Sequence, residues 1–268
     1  MRIAILGTGV VGTTIGSALL ARGHEVRMGS RSADNPKAGE WAAGGGAGAS
    51  HGTFADAASF GEVVFNCTAG TVSLDALEVA GRENLDGKIL IDVSNPLDFS
   101  KGMPPTLTVC NTDSLGERIQ RAFPGTRVVK TLNTTNCLVM VDPARVPGEH
   151  CLFVSGNDPA ARETVARALG AWFGWPRERV IDLGDIGTAR GTEMVLPLWV
   201  RLMGALNSSV RTAEQTEIAR FWQTNGVIQY NCATLYNGLT FDNIRLTFEK
   251  GKVVDARAGD KTAKLNSI

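Results

Sequence analysis

The chain of 268 residues is short of the features that would settle its class at once. Lys+Arg and Asp+Glu are equal at 27 each, so there is no charge excess of either sign, which argues against a generally basic nucleic-acid binder. No Cys-x-x-Cys occurs among Cys67, Cys110, Cys137, Cys151 and Cys232. That odd, widely spaced set gives neither a zinc knuckle nor a dithiol motif, and reduced thiols in a cytoplasmic protein are the expectation. Long uninterrupted apolar runs are missing too. The stretch from Ile3 to Ala21 is broken by Gly7, Gly9, Gly12 and Gly16 with threonines between them, which suits a strand–turn–helix and not a signal peptide or membrane helix. With 43% hydrophobic and 20% charged residues the chain can build a sizeable core and does not read as disordered.

Acid–base equipment is equally sparse. The chain has 2 tyrosines, Tyr230 and Tyr236, and neither is followed by Lys four positions on, so the Tyr-x-x-x-Lys dyad of short-chain reductases is absent. His24, His51 and His150 fall at predicted turns or strand edges without an obvious carboxylate partner and read as structural. No cluster has metal-ligand spacing. Lys130 lies on a predicted strand and reads as a charge at the end of a sheet. No residue stands out as a general acid or base, and catalytic residues are expected to be none.

Glycine is plentiful, with 31 residues, and the pattern around it is informative. Short apolar runs at Arg2–Leu6, Glu25–Met28, Glu62–Cys67, Lys88–Val93, Arg127–Thr131, Cys151–Ser155 and Val180–Leu183 read as strands. Helical spacing fills most of the intervals: Val10–Arg22, Val72–Gly81, Asp113–Ala122, Asp158–Trp172 and Thr188–Leu206. Alternation of this kind predicts an α/β fold, Rossmann-like and doubly wound, with a mostly parallel sheet covered on both faces. Ala42–Ala49 reads as a flexible connection and Lys101–Pro105 as a Gly/Pro loop. After about Leu206 the texture changes. A polar helix is expected over Thr212–Trp222, and a β-hairpin over Thr240–Phe248 and Val253–Ala256, turning at Lys250-Gly251. A domain boundary is therefore placed near Asn207, dividing residues 1–206 from a C-terminal extension, 207–268.

Gly7-Thr8-Gly9-Val10-Val11-Gly12 is a Gly-x-Gly-x-x-Gly sequence in its required setting, after a strand and opening a helix. Gly7 makes the turn, Gly9 lets backbone approach a pyrophosphate, and Gly12 lets helix and strand pack closely. At the end of the second strand an NAD site places an acid, whereas this chain has Gly29-Ser30-Arg31-Ser32, with Lys37 a turn later. A guanidinium and two hydroxyls suit a 2′-phosphate, so NADP(H) is the expected cofactor. Residues beyond later strands, Thr68-Ala69, Asn95-Pro96 and Asn133-Thr134, are candidates to border the nicotinamide. With no acid or base in view, the chemistry best matched is direct hydride transfer between two planar redox rings.

Gly7–Gly12, Gly29-Ser30-Arg31, Asp92-Val93-Ser94-Asn95-Pro96, Val128–Thr134, Ser155–Asp158 and Asp182-Leu183-Gly184 occur in one order. Together they resemble the coenzyme F420-dependent NADP oxidoreductase family and the similar NADPH domain of the STEAP metalloreductases, over about residues 1–206. The resemblance implies a Rossmann domain binding NADP(H) through Thr8, Gly9, Val10, Val11, Ser30, Arg31 and Lys37. It places Thr68, Ala69, Asn95, Pro96, Asn133 and Thr134 along the nicotinamide, and a deazaflavin (coenzyme F420) or flavin on top of it as second substrate. The tail departs from that family. Arg211–Trp222 resembles a segment of vanadium-haloperoxidase-like phosphatases and Asn237–Ala258 a hairpin of a metallo-aminopeptidase family, but neither carries those families' metal or catalytic residues.

The expected function is thus hydride transfer between NADPH and a deazaflavin or flavin-type acceptor, by a cytoplasmic, non-membrane protein compatible with a homodimer. The alternatives are an NADP(H)-sensing module without turnover and a reductase of small carbonyls or imines. The apolar segment Leu196–Met203 reads first as core packing or a dimer interface, and second as a cover over the acceptor.

Overall fold

The computed structural model describes residues 1–146, 150–205, 226–229, 234–236, 239–241, 244–249 and 252–265. Continuous apolar runs become the buried middle of one sheet. In β1 (Arg2–Leu6) Ile3, Ala4, Ile5 and Leu6 have no solvent exposure, as expected of a strand covered on both faces. The remaining strands of that sheet are β2 (Glu25–Ser30), β3 (Ala49–Thr53), β4 (Val63–Asn66), β5 (Ile89–Asp92), β8 (Arg127–Thr131), β9 (Leu152–Ser155) and β10 (Val180–Asp182). Two short strands, β6 (Leu97–Asp98) and β7 (Thr106–Leu107), pair beside it.

The sheet has eight strands in the order β10-β9-β8-β5-β4-β1-β2-β3. Every junction is parallel except β8–β9, so the sheet is mostly parallel and Rossmann-like. Helices cover both faces. One core layer packs residues of α1 (Val10–Ala21), α7 (Cys137–Met140) and α8 (Pro159–Phe173) against Ile3, Ile5, Phe65 and Val129. The opposite layer packs α3 (Phe54–Phe60), α4 (Ser73–Ala80), α5 (Arg82–Leu85) and α6 (Leu115–Ala122) against Ala4, Leu6, Val64 and Leu90. The chain winds outward from β1 through β2 to β3, then returns to place β4 on β1's other side. That reversal puts a crevice between the carboxyl ends of β1 and β4, the position where open α/β sheets bind ligands.

Two features depart from the sequence expectation. Ala42–Ala49 is not one flexible connection: α2 (Pro36–Gly44) runs into it and β3 begins at Ala49. Ala-Ser-His-Gly-Thr has no apolar alternation because β3 is the sheet edge, held by its ladder to β2 and not by burial. Thr53 then caps α3 in a reciprocal box with Asp56, with Asp56 N donating to Thr53 Oγ1 at 3.1 Å and Thr53 N to Asp56 Oδ2 at 2.8 Å.

The last long helix, α9 (Ala189–Ala205), contains Pro197. Beyond it, β11 (Gly226–Gln229), β14 (Arg245–Glu249) and β15 (Lys252–Arg257) form an antiparallel sheet in the order β11-β14-β15, and β12 (Thr234–Tyr236) pairs with β13 (Leu239–Phe241). The expected hairpin is therefore β14–β15, but Thr240 and Phe241 belong to the separate β12–β13 pair. The expected helix Thr212–Trp222 and the turn Lys250-Gly251 lie outside the described residues. Among the described residues no helix is long and apolar enough to cross a membrane. The described cysteines, Cys67, Cys110, Cys137 and Cys151, are free.

Candidate functional site

The glycine loop has the geometry its sequence demands. Gly7 has φ +119°, a region that side chains avoid, and a Cβ there would lie 2.6 Å from the Cys67 carbonyl oxygen. A Cβ on Gly12 would collide with the Gly7 carbonyl. At Gly9, by contrast, a Cβ meets no atom within 4 Å. Gly9 is also the N-cap of α1 and offers no capping side chain, while Thr13 Oγ1 donates to the Gly9 and Val10 carbonyls. The first amides of α1 thus open onto space that any larger residue at position 9 would fill, a cradle fitted to a pyrophosphate.

A cavity of about 450 Å³ extends from this loop, lined by Gly7, Thr8, Gly9, Ser30, Arg31, Asn35, Phe54, Cys67, Thr68, Ala69, Val72, Asp75, Ala76 and Val79. Phe54, Val72, Ala76 and Val79 give it apolar walls suited to a flat ring. Arg31 is exposed at its edge, and among the described residues no acid is paired with it. The two serines are engaged internally: Ser30 Oγ donates to the Ser32 carbonyl at 2.5 Å, and Ser32 Oγ donates to Asp34 Oδ1. That last bond holds the Asp34 carboxyl below its ordinary pKa. Both hydroxyls thus donate within the loop in this structure, whereas Arg31 has no such partner among the described residues.

A second cavity of about 370 Å³ adjoins the first, and Cys67, Thr68 and Ala69 line both. Val10, Val11, Val93, Leu97, Phe99, Met140, Leu196 and Trp199 supply apolar surface, and Ser94, Asn95, Asn133, Thr134, Thr135 and Asn136 supply hydroxyls and amides. Leu196 and Trp199 come from α9, so that segment contributes to the cavity wall, and Leu196 is also buried. Burial is the main cause that pushes the Cys67 thiol far up in pKa, with Asp92 adding to it.

Beneath this second cavity the strand ends are locked by a buried polar network. Asn66 Nδ2 donates to Asp92 Oδ1 at 2.9 Å, and Thr68 Oγ1 donates to Asn66 Oδ1 at 2.7 Å. Ser94 donates to Asp92 Oδ1 from both N and Oγ, at 3.2 and 2.6 Å. Lys130 Nζ lies 2.8 Å from Asp92 Oδ2 and 2.8 Å from Glu193 Oε1, and donates to the Ser94 carbonyl at 2.5 Å. Lys130 does sit at the sheet end, as its sequence position suggests, but it is 1% exposed and not solvated. Burial opposes its charge, yet Asp92 and Glu193 outweigh that and raise its pKa.

Of the predicted residues, Gly7, Thr8, Gly9, Val10, Val11, Ser30, Arg31, Thr68, Ala69, Asn95, Asn133 and Thr134 line one cavity or both. Gly12, Ser32, Lys37 and Pro96 do not. Gly12 packs helix on loop, Lys37 is exposed in the first turn of α2, and Pro96 turns the chain after β5 with its carbonyl accepting from Thr108 N. Phe54, Asn35, Val79, Phe99 and Met140 were not legible as site residues. The Thr53-x-x-Asp56 capping box is the sequence signal that could have located Phe54. The three histidines lie outside both linings, His24 edge-on to Trp172 and His150 edge-on to Trp175. Among the described residues no group of three or more His, Cys, Asp or Glu could hold a metal.

The family model "NADP oxidoreductase coenzyme F420-dependent" matches residues 2–96. A crystal structure from Arthrobacter sp. FB24, provisionally assigned as an F420-dependent NADP reductase, is 52% identical, with 81% of this chain and 97% of that chain covered and a TM-score of 0.73. A hypothetical protein of Sinorhizobium meliloti, SMa0349, is 24% identical over 70% of this chain and 87% of its own, with a TM-score of 0.57. A reductive aminase of Aspergillus terreus, in complex with NADPH and ethyl-5-oxohexanoate, is 18% identical over 76% of this chain and 62% of its own, with a TM-score of 0.56. The last two share the fold. No curated protein matches the chain.

Proposed function

Since the chain belongs to the coenzyme F420-dependent NADP oxidoreductase family and is an NADP(H)-dependent oxidoreductase, we propose that it moves hydride between NADPH and a deazaflavin or flavin-type ring seated in the second cavity. The observation that carries this is the lining of that cavity. Among the described residues it contains no Asp, Glu, His, Lys, Arg or Tyr. A reaction needing a protein acid or base has none there, whereas ring-to-ring hydride transfer needs none.

Bound NADPH supplies the hydride; the chain supplies placement. On this reading the amides of Thr8, Gly9, Val10 and Val11 hold the pyrophosphate, Gly7 and Gly12 shape the loop, and the adenine lies against Phe54 and Val79. Arg31 pairs with the 2′-phosphate, with Ser30, Ser32 and Lys37 around it. Thr68, Ala69, Asn95 and Pro96, with Asn133 and Thr134, border the nicotinamide, and Leu196 and Trp199 cover the acceptor and exclude water. Residues 1–206 form the cofactor-binding unit and 207–268 an extension.

The test is an NADPH-consumption assay against deazaflavin, flavin, quinone and imine acceptors. Turnover fastest with the deazaflavin or a flavin is the expected result. Turnover confined to imines would move the assignment to an imine reductase, and NADPH binding without turnover on any acceptor would make the chain a sensing module.

A further inference from the structure

One ammonium, Lys130, is shared by two carboxylates, Asp92 and Glu193, at 2.8 Å each. All three side chains are at most 1% exposed. Two carboxylates against one ammonium give the cluster a formal excess of one negative charge, in an interior that salt and water screen poorly. The amides of Leu115 and Gly116 at the start of α6 donate to Glu193 at 2.8 and 3.0 Å and offset part of that charge. No Asp, Glu, His, Lys or Arg among the described residues lines the second cavity to offset it.

The charge is wired to the cavity wall. Asp92 Oδ1 accepts from Ser94, and Asp92 reaches Thr68 through Asn66; Ser94 and Thr68 both line the cavity. Plain structural tying of these strand ends would have been served by a neutral set of amides and hydroxyls. The excess of carboxylate over ammonium is the part that needs a reason.

We propose that the Asp92–Lys130–Glu193 cluster sets the redox balance of the bound cofactor, favouring the cationic nicotinamide of NADP+ over neutral NADPH. This rests on the proposed function, with the nicotinamide entering the second cavity beside the acceptor ring. When hydride leaves NADPH, the C–H electron pair departs with the hydrogen to the acceptor ring, and the nicotinamide is left with a positive charge. A buried negative excess nearby stabilises that product and so makes bound NADPH the stronger hydride donor. Asp92 and Glu193 touch neither ring on this account; they act through the field.

The experiment is a pair of equilibrium titrations, NADP+ and NADPH, on the full chain and on Asp92→Asn and Glu193→Gln, each of which removes one charge with little change of shape. The ratio of the NADP+ Kd to the NADPH Kd is expected to rise about tenfold in each variant, the effect of roughly one pKa unit that a single nearby charge exerts. Equal weakening of both forms, or an unchanged ratio, would show the cluster to be structural only and overturn the proposal. If neither variant folds, the wild-type ratio decides: a value below one supports the proposal and a value at or above one overturns it. Failure of the wild-type chain to bind either form would instead sink the assignment of the cofactor site itself.

Discussion

Asn95 and Asn133 clasp each other across the rim of the second cavity. Asn95 Nδ2 donates to the Asn133 carbonyl and Asn133 Nδ2 donates to Asn95 Oδ1, both at 2.9 Å. The residue before the clasp, Leu132, is buried with φ +65°, a left-handed conformation that costs a residue of its type about 1–3 kcal/mol. The two amides, one after β5 and one after β8, hold that strained turn against the strand ends. Asn95→Ala is expected to lower stability by about 1–3 kcal/mol, because it orphans a buried amide. Denaturant unfolding would measure this, and kcat should fall more than NADPH affinity does.

Arg31 lies at the edge of the first cavity with no acid partner among the described residues. Arg31→Ala is expected to weaken NADPH by about 10–100-fold while leaving NADH nearly unchanged, the loss of one charge-assisted contact. Parallel titrations with the two nucleotides check it. Equal affinities in the wild type would defeat the role given to this residue.

Gly7 and Gly9 separate folding from binding. Gly7→Ala places a side chain at φ +119° against the Cys67 carbonyl and should cost about 1–3 kcal/mol or more of stability. Gly9→Leu has open space for its Cβ and should fold with a Tm near wild type, yet lose nucleotide binding because it fills the cradle. Thermal melts beside a binding assay would distinguish the two.

Trp199 lines the second cavity and not the first. Trp199→Ala should raise the acceptor KM by about three- to tenfold, the worth of one ring-on-ring contact, and leave the NADPH Kd unchanged. A matching loss of NADPH affinity would mean that the indole props the cofactor side instead.

The Asp113 carboxyl is held down to about 2, from an ordinary 3.8, chiefly by the Arg121 guanidinium, with Arg118 assisting. A carboxyl lowered in the folded state contributes stability above its unfolded value and loses it as pH falls through the folded one. Asp113→Asn should cost about 0.5–1 kcal/mol at neutral pH, a figure reduced because both arginines are largely exposed, and the difference from wild type should shrink between about pH 4 and pH 2. Urea melts at several pH values would follow it.

What could be read from the chain was what is local. The Gly7–Gly12 loop, its flanking strand and helix, and the arginine after β2 are contiguous in sequence, and their spacing carries their chemistry. The edge strand Ala49–Thr53 escaped because the pattern rule reads burial, and an edge strand with one buried residue has little to show. With it went α3 and Phe54. Lys130 gave no hint of burial because its partners lie 38 and 63 positions away, on β5 and α9, and only the folded sheet brings them together. The serines flanking Arg31 were visible as hydroxyls, but which acceptor each proton prefers depends on loop geometry that composition does not encode.

The Cys67-Thr68-Ala69 segment is a party wall, one face on each cavity. A dinucleotide draped over it would become part of the second chamber's floor, so an acceptor arriving ahead of the nucleotide would meet an unfinished room. On the proposed function, product-inhibition kinetics are expected to show an ordered sequence, with the nucleotide binding before the acceptor.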